Sequence, residues 1–104
     1  MPEHYVCFVT APPQEAPNLA RKLVEARLVA CVNLIPAVSS TYWWEGRVQE
    51  DQEALLVLKT SADSVEALVQ KVKELHSYTV PEVIAMPIER GNPDYLQWIR
   101  QSVG

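Results

Sequence analysis

ACVNLIPAVSSTYWWEGRVQEDQEALLVLKT, residues 30–60, is the stretch that decides the fold. It is an apolar ribbon that turns once, at Trp43-Trp44-Glu45-Gly46-Arg47, where Glu45-Gly46 supplies a two-residue hairpin turn. Its first arm, Cys31 to Trp44, spans roughly 46 Å if extended at ~3.3 Å per residue. A chain of this size has a radius of gyration near ~13 Å and a body about 35 Å across. The hairpin therefore overhangs its own body and carries Val38, Tyr42, Trp43 and Trp44 into solvent. Apolar side chains on unpaired strand edges are what stable monomers avoid, so the ribbon predicts an oligomer.

Working outward, the second arm, Val48 to Thr60, begins polar at Gln49-Glu50-Asp51-Gln52-Glu53 and becomes apolar at Ala54-Leu55-Leu56-Val57-Leu58. The apolar end belongs mid-sheet and the polar end beyond the core. Pro36 marks an interruption suited to an edge strand or a bulge. Upstream, Tyr5-Val6-Cys7-Phe8-Val9-Thr10 reads as a strand buried on both faces and ended by Ala11-Pro12-Pro13. Leu19, Ala20, Leu23, Val24 and Ala26 recur at helical spacing and predict a helix over Glu15–Leu28.

Downstream, Thr60-Ser61-Ala62-Asp63-Ser64 offers several caps for a helix with Val65, Leu68, Val69, Val72 and Leu75 on one face. A loop, His76 to Glu82, precedes a fourth strand, Val83 to Ile88. Asn92-Pro93-Asp94 places a cap, a first-turn proline and an acidic second position ahead of a short helix, Pro93 to Gln101. The order βαββαβα in one 104-residue domain predicts an α+β fold, a ferredoxin-like βαββαβ sandwich with strand order 4-1-3-2, a long β2–β3 hairpin and an extra C-terminal helix.

The net charge of −4 and the scattered basic residues lack the electrostatic footprint of a nucleic-acid binder. The RNA-binding version of this topology also needs exposed aromatics on strands 1 and 3, which read Val6-Cys7-Phe8-Val9 and Leu55-Leu56-Val57-Leu58. Neither a membrane-length apolar run nor a basic leader is present, so a soluble, cytoplasmic chain without nucleic-acid or membrane partners is expected. The glycines stand alone at 46, 91 and 104, which excludes a phosphate loop. With two histidines and no serine constellation around them, a hydrolytic triad is not indicated.

Cys7 and Cys31 are not a Cys-x-x-Cys pair, and in strand order 4-1-3-2 they lie about two strand spacings, ~9.6 Å, apart, too far for a disulfide. Both read as structural free thiols. His76 follows the last turn of the second helix, where its charge would complement the helix dipole. As a ligand, imidazole suits copper, zinc or nickel, with Glu82 or Tyr78 in the same loop or another subunit completing the site. His4, near the terminus, reads as solvated. Glu45, Glu50, Asp51 and Glu53 read as the wet face of the ribbon; adjacent copies bringing them together would bind hard divalent ions weakly. Lys59, Tyr78 and Glu82 flank apolar strands. They suggest either a Lys59–Glu82 ion pair or a small-ligand cleft completed by a neighbour's Trp43 or Trp44.

Several segments in the same order resemble the CutA family, the divalent-cation tolerance proteins. They are Thr10-Ala11-Pro12, Leu28 to Pro36, Ser40 to Gly46, Leu58-Lys59-Thr60, His76 to Glu82, and Gly91 to Ile99. The resemblance implies a homotrimer like the trimeric PII signalling proteins, with Tyr42, Trp43 and Trp44 at the subunit interface. It implies no catalytic reaction and no obligatory cofactor, and it makes Cu(II) or another divalent cation the candidate ligand. Copper binding in such proteins is ascribed to a strand-1 cysteine and paired histidines before the loop tyrosine; here those positions are Val9 and Leu75-His76. Metal ligands His76 and Glu82 are thus one expectation. A PII-like signalling module holding a small metabolite or nucleotide in intersubunit clefts formed by Trp44, Lys59, Tyr78 and Glu82 is another, and a rigid trimeric scaffold is a third.

Overall fold

Backbone stiffness and apolar alternation set the strands. In the computed structural model, which describes residues 2–104, Tyr5 to Thr10 form the middle of β1 (His4–Ala11). Helix α1 (Ala16–Glu25) follows, with Pro17 in its first turn where a missing N–H costs nothing. It stops short of the expected Leu28. Arg27 turns left-handed, φ 58°, and the N–H groups of Arg27 and Leu28 donate back to the carbonyls of Val24 and Leu23 at 2.9 and 3.2 Å. That is a Schellman ending built without glycine.

Strands β2 (Cys31–Trp44) and β3 (Arg47–Ser61) form the long hairpin. Glu45 and Gly46 both have positive φ, 51° and 76°, as a type I′ turn requires. A 3₁₀ turn, Ala62–Ser64, leads into α2 (Val65–Leu75). None of the expected side-chain caps forms there. Thr60 instead donates its hydroxyl to the carbonyl of Leu28 at 2.6 Å, and the tightened turn starts the helix. Strand β4 (Val83–Pro87) and α3 (Pro93–Ser102) complete the chain; Asn92 caps α3 by accepting from the N–H of Asp94 at 3.0 Å.

The sheet is antiparallel throughout, in the order β2-β3-β1-β4, which is the expected order seen from its other edge. Cys7, Val9, Leu56 and Leu58 point to one face and are sealed by Leu19 and Leu23 of α1 and Leu68 and Val72 of α2. Helix α3 packs against β1 and β3, where Ile99 is fully buried outside that cluster. Arg100 pairs with Glu3, and the N–H of Gly104 donates to the carbonyl of Arg27. Cys7 and Cys31 are free thiols on either side of β3.

The opposite face carries Val6, Phe8, Ile35, Leu55, Val57, Ile84 and Met86 by strand alternation and register. β1 is therefore buried on one face only within a single chain: Val6 and Phe8 are half-buried, and Ile84 is 52 % exposed. The molecule measures 44 × 25 × 22 Å, longer than a round body of its size, because β1 ends opposite Ala54 while β3 runs on to Arg47. Residues 47–53 pair with β2 alone, an overhang of about 23 Å at ~3.3 Å per residue.

Candidate functional site

Where the ribbon leaves β1, a groove opens between it and the loop before β4. Its position follows from one extra residue in β2. Ile35 opposes Leu55 and Val38 opposes Glu53, so Pro36-Ala37 form a bulge across from Ala54. Without that bulge, in a regular ladder continued from Ile35–Leu55 with the same residues, Thr41 and Trp43 would share a face with Glu53. With it, Ser40, Tyr42 and Trp44 do, while Trp43 and Val48 turn to the other side, where Trp43 is 73 % exposed.

The groove encloses about 700 Å³ and is lined by Tyr42, Trp44 and Glu53 from the ribbon, Thr10 from β1, and residues 77–82 except Pro81 from the loop. Glu53 is its innermost acid, only 6 % exposed. The hydroxyl of Tyr78 donates to Glu53 Oε2 at 2.9 Å, and that of Tyr42 donates to Asp51. Burial, then the Glu53 carboxylate, pushes the Tyr78 phenol well above its ordinary pKa; the hydrogen bond to Asp51 does the same for Tyr42. Both phenols stay protonated donors.

His76 fastens the loop. It is 8 % exposed, and its backbone N–H donates to the carbonyl of Val72 at the end of α2. The ring Nε2 lies 2.7 Å from the carbonyl of Thr10, and Nδ1 accepts from the N–H of Tyr78 at 3.1 Å. A carbonyl can only accept, so Nε2 carries the proton and Nδ1 does not. Both ring nitrogens are engaged, and the ring lies 4.6 Å from that of Tyr78, centroid to centroid. A metal would have to displace one of those two bonds. Among the described residues no three His, Cys, Asp or Glu side chains are grouped as a metal ion needs.

The structure brings Trp44, Tyr78 and Glu82 together in one chain, where the sequence suggested a neighbour's tryptophan. Lys59 stands apart. It opposes Val6 and Cys31 towards the far end of β3 and bonds Asn33, so it neither lines the groove nor pairs with Glu82. His4 is a half-buried strand residue, not a solvated one, and its Nε2 is shielded with no partner among the described residues. Sequence reasoning grouped Glu53 with Glu45, Glu50 and Asp51 on the wet face of the ribbon; it is instead buried in the groove, because it closes an acidic run and only the parity of β3 and its place beside the loop distinguish it from its neighbours.

A family model described as CutA1 divalent ion tolerance protein matches residues 5–102. The chain belongs to the CutA1 family. The divalent-cation tolerance protein CutA of Thermus thermophilus is 49 % identical over 100 residues, covering 95 % of this chain and 97 % of that protein. Human Protein CutA is 52 % identical over 95 residues, covering 90 % of this chain; the chain spans 53 % of it and 55 % of the rice chloroplastic relative. Among solved structures, CutA1 from Oryza sativa superposes with a TM-score of 0.95 at 45 % identity, covering 98 % of this chain and 94 % of that one. The Archaeoglobus fulgidus structure, described as periplasmic, superposes with 0.93 at 38 % identity and covers 97 % of this chain and 98 % of that one. No helix among the described residues of this CutA1-family chain is long and apolar enough to cross a membrane.

Proposed function

We propose that the chain serves divalent-cation tolerance as a non-catalytic homotrimer in the cytoplasm, a ferredoxin-like subunit assembled in the PII-like manner. The observation that carries the assembly is the overhanging ribbon. Trp43 and Val48 are cross-strand partners on its outer face, 73 % and 57 % exposed, with nothing among the described residues to cover them. The half-open sheet face with Ile84 and Met86 adds a second apolar surface. Both are the kind of surface that a partner covers. In this reading Trp43, with Val48 beside it, meets a second copy on the outer face, and Tyr42 and Trp44, which turn to the groove but stay exposed, meet one on the other. The tolerance role rests on the family and on relatives named for it.

Direct cation binding, in this reading, is weak and uses Glu82 on the groove with donors from a second copy. His76 remains a structural residue. Sedimentation equilibrium at micromolar concentration is expected to give three times the 11.7 kDa chain mass, and a monomer there would sink the assembly. Calorimetric titration of Cu(II) and Zn(II) is expected to give weak heats that His76→Ala leaves unchanged. Tight binding abolished in that variant would make His76 a ligand and overturn this assignment.

A further inference from the structure

We propose that the groove beneath the ribbon binds a small organic cation, an ammonium group carried on an apolar stem. The inference stands on the groove of a single chain and goes beyond the tolerance reading, which it does not require.

Glu53 is the starting point. It is a carboxylate more than nine-tenths buried, and no cationic side chain lies within salt-bridge distance of it among the described residues. Buried charges are ordinarily paired, because the desolvation they suffer has to be offset. Tyr78 satisfies Oε2, but one neutral hydroxyl does not neutralise a carboxylate, and no hydrogen bond reaches Oε1 from the described residues. Glu82 adds a second acid to the lining, and among the described residues no lysine, arginine or histidine lines the groove. The site is thus set for positive charge.

Its walls decide which kind. Trp44, Tyr42 and Tyr78 contribute aromatic surface, whose π faces attract cations and whose rings shelter a hydrocarbon stem. A volume of about 700 Å³ lies within the ~300–1,000 Å³ range of small-molecule sites and far exceeds what a bare ion needs. A divalent metal would look for three close donors, which are not grouped here. A nucleotide or other phosphate would meet two carboxylates and, among the described residues, no cation. An ammonium against Glu53 Oε1, with its stem along Trp44 and Tyr42, satisfies every wall.

The test titrates the full chain in its native assembly, at low ionic strength, with butylammonium and tetramethylammonium. Butyrate, inorganic phosphate and Zn(II) are run alongside, and oligomeric mass is measured on the same samples. Saturable binding of the ammonium probes is expected, with none of butyrate or phosphate. Glu53→Gln, which keeps the shape and an acceptor for Tyr78, is expected to weaken butylammonium at least tenfold; Glu82→Gln, on the rim, is expected to weaken it severalfold. Absence of saturable ammonium binding, or ammonium binding that neither variant alters, would overturn the proposal. So would Zn(II) binding without ammonium binding. If Glu53→Gln instead lowers the oligomeric mass while the ammonium probes fail to bind, the cation is a lysine or arginine of a second copy and the small-ligand assignment is wrong.

Discussion

The two halves of the β2–β3 hairpin are continuous strands held in opposite ways. In the inner half, Cys31 to Ile35 and Ala54 to Ser61, β3 is paired on both sides, with β2 and with β1, and Leu56 and Leu58 reach zero exposure under α1 and α2. The outer half, from Val38 to Trp44 and Arg47 to Glu53, has only itself for a sheet. Its shape comes from local devices: a left-handed pair at Glu45-Gly46, a bulge at Pro36-Ala37, and tyrosine hydroxyls bonded to Asp51 and Glu53. One half is specified by burial and the other by turn chemistry and polar ties. The second kind of specification leaves side chains available for binding.

The contrast can be broken most strongly from the inner side. Leu58→Ala removes a fully buried side chain and is expected to cost about 2–5 kcal/mol, read as a drop in the urea midpoint at unchanged slope. A loss below ~1 kcal/mol would mean that the inner half is not held by its core. Next comes Cys7, whose thiol burial pushes from 9.0 up to about 11. Its folded pKa lies above its unfolded one, so the native state binds the extra proton between those values. The stability this group confers is complete below about pH 9 and is lost as pH rises towards 11, a slope that Cys7→Ala is expected to flatten. Alkylation at pH 8 is expected to mark half-buried Cys31 and spare Cys7 until the chain unfolds.

Tyr78→Phe sharpens the comparison at the junction of the halves. It strips Glu53 of its hydroxyl donor and is expected to cost roughly 1–3 kcal/mol in thermal or urea unfolding. Because that bond ties the loop to the ribbon, amide exchange is also expected to quicken at residues 77–80. The smallest effect belongs to the tip. Trp43→Ser is expected to change the unfolding free energy of the dissociated chain by no more than about 0.5 kcal/mol. Its assembly mass is nevertheless expected to fall. A large intrinsic loss would show that Trp43 packs within its own chain.

Much of the fold was legible in the sequence. Apolar periodicity, the Glu45-Gly46 turn and the Asn92 cap carry their own local physics, and they yielded the strand order and the overhang together. The groove was legible in part: Trp44, Tyr78 and Glu82 line it, but from one chain and not with a neighbour's tryptophan. The rest depends on register and on distant backbone. Pro36 announced an interruption but not which side the aromatics would take afterwards, since that follows from the pairing of Val38 with Glu53. Lys59 sits close to the groove residues in composition alone; counting along β3 from Glu53 places it well down the strand. His76 was visible as a helix-end histidine, whereas its second partner, the Thr10 carbonyl, comes from a strand 66 residues away.

The bulge at Pro36-Ala37 also bears on how such chains diverge. Elsewhere in a paired strand, gaining or losing a codon shifts every later side chain to the wrong face. Here the ladder already absorbs an odd residue between two segments that are each anchored independently, one by the core and one by the hairpin tip. A length change at this point stays local, so the ribbon and its groove can be altered without disturbing the register of the body beneath.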